Sequence, residues 1–226
     1  MTADIPGRLL GHGRNADVYD IGGGQVLRRY RDSRPPAAVA REAEVMRHAR
    51  GHGVPVPEVF GVTGMDIVME RAAGPTMLDL MARRPWAVRG HARHLASLHA
   101  VVHAVPAMAG MRTPFGDGTA LLHMDLHPQN VILTADGPMI IDWEGAASGP
   151  GPADIAMTWV IVAFSEVPGT LAKAVASAMQ GMFTRSFLRA AEPVPPSLLD
   201  AAIAHRLRDR NVLPVEADRI RRRTGR

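Results

Sequence analysis

Cysteine is absent from the 226-residue sequence, which excludes disulfide bonds, thiolate metal sites and cysteine nucleophiles. Long apolar runs are absent as well: the longest, residues 155–164, has ten residues and is too short to cross a bilayer. The N-terminus shows no basic segment followed by an apolar stretch, so no secretory signal is predicted. These features together predict a cytoplasmic protein that does not associate with a membrane.

Lysine is nearly absent: of the 26 basic residues only Lys173 is a lysine, and the rest are arginines. The formal net charge is +4, and the basic surplus is concentrated in residues 209–226. An arginine-rich tail can contact nucleic acid or anionic lipid. A solvated, frayed C-terminus explains the same residues more simply, so we do not expect a nucleic-acid partner.

The rest of the composition is that of a globular protein, with 46% hydrophobic and 21% charged residues. Residues 7–30 predict three strands with a turn at Gly22-Gly23-Gly24, and residues 55–71 predict two more. A helix is predicted between them, over residues 35–50. The length of the chain, 226 residues, accommodates one large domain or two small lobes.

From residue 76 onwards the hydrophobic spacing becomes helical, over residues 76–105, 153–165, 170–190 and 197–210. We therefore predict an α+β protein of two lobes. Residues 1–71 form a small antiparallel β lobe with one helix, and residues 72–226 form a larger, mostly helical lobe. The hinge is placed at about 69–74.

Two polar islands interrupt the most hydrophobic part of the chain, LHMDLHPQN at residues 122–130 and MIIDWE at 139–144. Asp136-Gly137 between them is a strong turn signal, so the two apolar runs are predicted to pair as a hairpin. Asn130 and Asp142 are equidistant from the turn, which brings them opposite each other. An amide oxygen and a carboxylate at that point suit a hard cation such as Mg²⁺.

Asp125 lies five residues before Asn130, on the loop that leads into the predicted hairpin. A carboxylate there can accept a proton from an attacking hydroxyl group. The order His-x-Asp, an Asn five residues after that Asp, and an Asp at a strand end is typical of the kinase catalytic loop and its metal-binding aspartate. The form HMDLHPQN…IDWE resembles the aminoglycoside phosphotransferase and choline kinase family.

That resemblance implies a bilobal, protein-kinase-like fold and a role for each polar residue of the islands. Asp125 would be the catalytic base, and Asn130 and Asp142 would hold Mg²⁺. His123 would brace the loop, and His127 would lie near the phosphates. Met124 departs from the family pattern, which commonly has glycine at that position.

Asp154 matches a family aspartate, at the start of the following helix, that holds the catalytic loop. A plain acidic residue at a helix N-terminus explains it equally well.

The resemblance also implies a nucleotide site in the first lobe, for ATP or GTP. Gly11 and Gly13 form a G-x-G loop between two strands, although the third glycine of the usual motif is missing. Arg28, two residues after Val26, occupies the place of the usual lysine, and arginine keeps the charge but changes the geometry. Glu42, on the apolar side of the predicted helix, is its natural partner.

The segment VMERAAG at residues 68–74 is interpreted as the hinge between the lobes. The backbone of Met69 and Glu70 there would meet the adenine edge.

Four histidines lie on the predicted helix within residues 87–105. His99 is close to the apolar face and is interpreted as a core histidine. His91, His94 and His103 have spacings that can bind a metal, but surface histidines are the simpler interpretation.

The sequence thus predicts a Mg²⁺-dependent enzyme that transfers the γ-phosphate of ATP or GTP to a hydroxyl or amine of a small molecule. No activation segment or Ala-Pro-Glu motif follows Asp142, which argues against a protein acceptor. A nucleotide-binding pseudokinase or sensor remains the alternative, supported by Arg28 and the reduced glycine loop. A metallohydrolase built on His123, Asp125 and His127 is a further alternative. The acceptor and the oligomeric state are left open.

Overall fold

A computed structural model describes residues 7–32, 34–165, 171–209, 212 and 214–224. Contacts divide the chain into two compact units. The first comprises the chain up to Gly74 together with Ile132–Glu144, and the second comprises Pro75–Val131 with Gly145 onwards. Residues 132–144, placed in the second lobe by the sequence, thus make their contacts within the first unit.

The first unit contains a five-stranded antiparallel sheet. Its strands are β1 (Arg8–His12), β2 (Ala16–Gly22), β3 (Gln25–Tyr30), β4 (Val59–Thr63) and β5 (Asp66–Glu70). Their order in the sheet is β1-β2-β3-β5-β4. The β2–β3 turn passes through Gly23 and Gly24, whose φ angles of 60° and 72° favour glycine. All five predicted strands are confirmed.

Helix α1 (Pro36–Gly51) follows β3 and is also confirmed. It begins with proline, whose fixed φ suits the first turn, and it buries Val39, Glu42, Ala43 and Met46 on one face. These residues recur at i, i+3, i+4 and i+7, the spacing that places side chains on one helical face. The predicted core face of this helix is therefore correct, including its single buried acid.

The central hairpin is confirmed as β7 (Val131–Thr134) paired with β8 (Gly137–Ile140), after β6 (Ala120–Leu122) earlier in the chain. Thr134 closes the turn: its hydroxyl accepts from the Asp136 N–H at 3.2 Å and donates to the Gly137 carbonyl at 2.9 Å. The Ile140 N–H donates to the Pro55 carbonyl at 2.7 Å, which ties the hairpin into the first unit.

The second unit is mostly helical, as predicted. In it, β6 pairs with β9 (Ala147–Gly149) as two short antiparallel strands. The helices of this unit are α2 (Met77–Arg83), α3 (Val88–His103), α4 (Gly151–Phe164), α5 (Leu171–Ala190), α6 (Pro196–Arg208) and α7 (Pro214–Thr224). Helix α3 packs against α5, and α4 packs against α6. None of the helices within the described ranges is long and apolar enough to span a membrane.

Helix α7 corrects the expectation of a frayed C-terminus. Ile220 is fully buried, and Glu216 receives two hydrogen bonds from Arg206 of α6, at 2.7 and 3.3 Å. Both side chains of this ion pair are about nine-tenths buried. The sequence did not predict this contact, because a single buried acid three residues before Arg219 gives no periodic hydrophobic signal.

Replacing Glu216 with alanine is expected to release α7, because Arg206 loses its two-point partner. Hydrogen bonds to charged groups contribute about 1–3 kcal/mol, so urea unfolding shifts by that amount and amide exchange in residues 214–224 accelerates. The control is Asp218→Ala, which removes an exposed pair with Arg221 at 3.5 Å. Equal exchange in the two variants would show that the ion pair does not anchor the helix.

Candidate functional site

In the first unit, Arg28 bridges two carboxylates. Val26, Arg28 and Tyr30 alternate along β3 and so share one face of the sheet. The Arg28 guanidinium donates to Glu42 of α1 at 2.8 Å and to Asp142 at 2.6 Å. The predicted contact between Arg28 and Glu42 is confirmed, and only 12% of the arginine side chain and 2% of the glutamate side chain are exposed.

Burial opposes the charge of Arg28, but Glu42 and Asp142 outweigh burial and raise the pKa of the guanidinium. Arg28 is therefore a fixed cation. The contact with Asp142 was not predicted, and it matters because Asp142 is the candidate metal ligand.

Tyr30 and Arg34 extend this network and were missed by the sequence analysis. The Tyr30 hydroxyl donates to Glu42 in a very short hydrogen bond. Arg34 stacks on the Tyr30 ring at 3.7 Å from its centroid and pairs with Glu144 at 3.0 Å. The period-two spacing of Arg28 and Tyr30 on β3 was the one available signal for the tyrosine.

Asp142 directly follows the hairpin in a left-handed conformation, with φ of 68°. Asp tolerates this region better than most residues, but a strained position of this kind often marks a functional site. Its side chain is 40% exposed, and Arg28 bonds to Oδ1. The carboxylate can therefore still present an oxygen to a cation.

The loop glycines lie at the exposed end of β1. Gly11 is in the strand and Gly13 follows it; a side chain on Gly13 would crowd the Ala16 carbonyl, 2.9 Å from its Cβ. Arg31 holds this loop by donating to the Gly13 and Arg14 carbonyls at 2.7 and 2.8 Å. The loop is thus tethered by an arginine that the sequence analysis did not single out.

Asp17, on the neighbouring strand β2, is buried. Arg31 pairs with it in a short contact, and His12 lies 2.8 Å away.

Met69 and Glu70 end β5, where the hinge was predicted. Met69 is buried, and the Glu70 carboxylate accepts from the Glu58 N–H at 3.0 Å and from Arg50 at 3.3 Å. The Glu70 side chain is thus engaged within the first unit. A role in nucleotide binding for these two residues rests on their backbone and stays a prediction.

In the second unit, the loop before β7 brings Asp125, His127 and Asn130 together. A short 3-10 helix, Pro128–Asn130, is capped by His127, whose Nδ1 accepts from the Gln129 N–H at 3.3 Å. The Asn130 amide donates to the Asp125 carbonyl at 2.9 Å and to its carboxylate at 3.1 Å. Because the amide nitrogen is used in this way, the amide oxygen is the atom left to bind a cation.

The Asp125 carboxylate stays ionised. Burial alone would raise its pKa, but the hydrogen bond and charge of His127, 3.5 Å away, together with His123 and Arg206, hold the pKa below its usual range. A carboxylate of this kind is deprotonated at neutral pH and is positioned to receive a proton.

The buried side chains of His123 and Asp154 fix the backbone of the loop that carries Asp125. His123 is fully buried, and its Nδ1 accepts from the Asp125 N–H at 3.3 Å. Asp154, also fully buried, accepts from the backbone N–H groups of His123 at 3.0 Å and Met124 at 2.7 Å. Of the two interpretations of Asp154, the structure supports the loop anchor. Met124 has φ of 72°, which explains why glycine suits that position.

The structure therefore forms two clusters. Arg28, Glu42 and Asp142 meet in the first unit, and His123, Asp125, His127 and Asn130 meet in the second. Magnesium binding by Asn130 and Asp142 stays a prediction. The metallohydrolase alternative is not supported: among the described residues, the ligand atoms that converge belong to His99, His103 and Asp154.

Comparison with solved structures identifies the class of fold. A choline/ethanolamine kinase family protein from Mesorhizobium loti is similar over 99% of this chain and 88% of its own, with a TM-score of 0.61 and 17% identity. The ternary complex of streptomycin, ATP and APH(2")-IIa is similar over 95% and 90%, with a TM-score of 0.67 and 12% identity. The fold is kinase-like and α+β, as predicted.

The chain belongs to the phosphotransferase enzyme family, whose model matches residues 6–118 and 109–191. The family suggested by the two polar islands is thereby confirmed. Thiamine kinases of Salmonella newport and Salmonella paratyphi B are 46% identical to it over 41 residues, which is 18% of this chain and 15% of theirs. The match thus spans a small part of those relatives.

Proposed function

We propose that the protein is a small-molecule kinase that transfers the γ-phosphate of ATP or GTP to a hydroxyl or amine group. The observation that carries the proposal is the loop of the second unit, where an ionised Asp125 is fixed by Asn130 and by the buried His123. Membership of the phosphotransferase enzyme family supports this reaction class. The structurally similar APH(2")-IIa binds ATP and streptomycin in its ternary complex, and the similar APH(2'')-Ib binds ADP.

Asp125 would act as the base. Its carboxylate accepts the proton of the attacking hydroxyl, and its hydrogen bond to Asn130 fixes its orientation. His127, close to both residues, would contact the phosphates or their water. His123 and Asp154 do not touch the substrate in this proposal; they position the loop.

Mg²⁺ would be held by Asn130 and Asp142. The donor atoms suit that ion, because an amide oxygen and a carboxylate oxygen are hard ligands. When bound, Mg²⁺ neutralises the charge that develops on the transferring phosphate. Arg28 donates to Asp142 Oδ1, so the second carboxylate oxygen, Oδ2, is the one proposed to bind the cation.

Gly11, Gly13, Arg28 and Glu42 would form the nucleotide side of the site, with the backbone of Met69 and Glu70. Glu42 keeps Arg28 in place, and Arg28 would donate to phosphate oxygens through its planar fork. The partners proposed are thus a nucleotide and a small-molecule acceptor, in the cytoplasm.

A nucleotide-binding pseudokinase or sensor is the second candidate. One observation favours it: Arg28 replaces the usual lysine and is bonded to Asp142 as well as Glu42. A fixed guanidinium on the metal-binding aspartate competes with a cation for the same carboxylate. This candidate predicts nucleotide binding with little transfer.

The test is calorimetric titration of ATP and GTP, with and without Mg²⁺, on the wild type and on Asp142→Ala. We expect Mg²⁺-dependent binding that is lost in the variant and kept in Asp117→Ala, a control aspartate exposed on a loop. A screen of hydroxyl and amine acceptors, scored for phosphorylated product by mass spectrometry, then separates kinase from sensor. Absence of ATP and GTP binding under every condition would refute both candidates.

A further inference from the structure

Three ionisable side chains that the proposed reaction does not use in substrate binding converge between α3 and α4 of the second unit. His99 and His103 are four residues apart on α3 and therefore share one face of the helix. Asp154 Oδ2 lies 3.1 Å from His103 Nε2 and 3.6 Å from His99 Nδ1. The interpretation of His103 as a surface histidine is thus wrong: its side chain is only 10% exposed.

The hydrogen bonds of Thr158 fix the tautomer of His99. The Thr158 hydroxyl donates its single proton to the Leu126 carbonyl at 2.7 Å. Its oxygen must then accept the hydrogen bond from His99 Nε2, 3.0 Å away. A neutral His99 therefore carries its proton on Nε2 and a lone pair on Nδ1.

The lone pair on His99 Nδ1 is buried and receives no hydrogen bond within the described part of the chain. His99 is 1% exposed, and its Nδ1 is the buried side-chain atom that has no hydrogen-bond partner within the described part of the chain. Burial lowers the pKa of His99, although Asp154 acts in the opposite direction. A neutral ring thus directs an electron pair towards a region that also holds the Asp154 carboxylate.

We propose that His99 Nδ1, His103 Nε2 and Asp154 Oδ2 bind a divalent transition-metal ion of the Zn²⁺ class. Ligand distances of about 2.0–2.1 Å in a tetrahedron place neighbouring donor atoms about 3.3 Å apart. The observed separations of 3.1 and 3.6 Å from Asp154 Oδ2 lie on either side of that value. Two imidazoles and one carboxylate are a common zinc ligand set.

The surroundings suit a metal as well. The hydrogen bond from His99 Nε2 to Thr158 is the outer contact that orients a metal-bound histidine. Gly151 makes room for the second ligand, because a Cβ there would lie 2.7 Å from His103 Nδ1. A cation also compensates the charge of Asp154, which is buried and whose pKa is held well below its usual value.

The fourth coordination position has an available approach. A cleft of about 290 Å³ is lined by both histidines and by Glu192, with the alanines of α3 and α5 around them. A water molecule can complete the coordination from this cleft.

The metal would have a structural role. Asp154 also accepts from the backbone N–H groups of His123 and Met124, so the ion ties α3 and α4 to the loop that carries Asp125. The inference does not depend on phosphate transfer, because the site lies behind the loop and needs no nucleotide.

The experiment uses the full-length protein after treatment with a chelator. Titration with Co²⁺ reports the geometry, since four-coordinate Co²⁺ gives intense visible bands whereas six-coordinate surface sites do not. We expect these bands to saturate at one equivalent and to be displaced by Zn²⁺. At a hundredfold excess of Zn²⁺ over its Kd, the Tm should rise by about 5–10 °C.

Two matched variants assign the site. His103→Gln should remove the bands and the thermal shift, whereas His91→Gln, on the same helix, should leave both unchanged. Zinc absorption spectroscopy of the wild type, which requires no variant, should find two imidazole ligands. Absence of the four-coordinate bands, or their persistence in His103→Gln, would overturn the proposal. The latter result would assign the metal to another pair, such as His48 and His52. Since no readout involves a nucleotide, failure here is distinct from failure of the proposed kinase.

Discussion

Replacing Asp154 with asparagine is expected to destabilise the protein by about 3–5 kcal/mol, the range for removing one partner of a buried charge network. The carboxylate is fully buried and accepts from the N–H groups of His123 and Met124 and from His103. An asparagine amide has only one accepting oxygen. In either orientation, its NH₂ group faces a backbone N–H donor, so at least one buried donor loses its partner.

Urea unfolding in the presence of a chelator measures this loss without any contribution from bound metal. Asp117→Asn is the matched control, because the same change at an exposed loop position should alter the free energy of unfolding by less than about 0.5 kcal/mol. Equal stability of the Asp154 and Asp117 variants would show that other contacts hold the loop that carries Asp125.

The pH dependence of the free energy of unfolding provides a second test of the role of Asp154. Burial alone would raise the pKa of Asp154, but the hydrogen bond from His103 outweighs burial, and the pKa is held well below its usual value. A depressed pKa in the folded state stabilises the protein fully above the unfolded value of about 3.9, and this contribution is lost as the pH falls below it. The difference in stability between wild type and Asp154→Asn should therefore narrow below about pH 4.

Most of the fold could be predicted from local sequence patterns. Glycines mark the turn at residues 22–24, Pro36 marks the start of a helix, and Asp136-Gly137 marks a tight turn. Each of these signals involves only a few neighbouring residues. The loop at residues 123–130 could be predicted equally well, because hydrogen bonds between residues only five positions apart, Asp125 and Asn130, fix it. Features that depend on residues close together in the chain can be predicted from a single sequence.

Contacts between distant segments were not accessible in this way. Glu216 and Arg206 become partners only when α6 and α7 pack. His103 of α3 contacts Asp154 of α4, which lies 51 residues further along the chain. The same holds for Arg28, whose pairing with Glu42 came from the family pattern while its second contact, with Asp142, did not. Residue type and spacing give no information about such pairs unless a known pattern supplies it.

Replacing Asp125 with asparagine is expected to reduce kcat by about 10²–10⁴-fold, the usual contribution of a general base. The two side chains have the same shape, and the Asn130 amide can still donate to the variant oxygen, so the loop should keep its structure. Nucleotide binding should remain, because Asp125 is proposed to contact the acceptor and not the nucleotide. The measurement is formation of phosphorylated acceptor together with ADP release.

Asp136→Asn, in the exposed turn of the hairpin, is the control and should keep the wild-type kcat. The pH dependence of the rate adds an independent criterion. Because the pKa of Asp125 is held below its usual range, the carboxylate is ionised at neutral pH, and the rate should show no Asp125 titration between pH 6 and 9.

An Asp125→Asn variant that retains the wild-type kcat would mean that transfer depends on positioning and charge stabilisation alone. A loose, dissociative transition state permits that outcome, because the acceptor hydroxyl then loses its proton late. Asp125 would in that case orient the acceptor, and its effect would appear in KM.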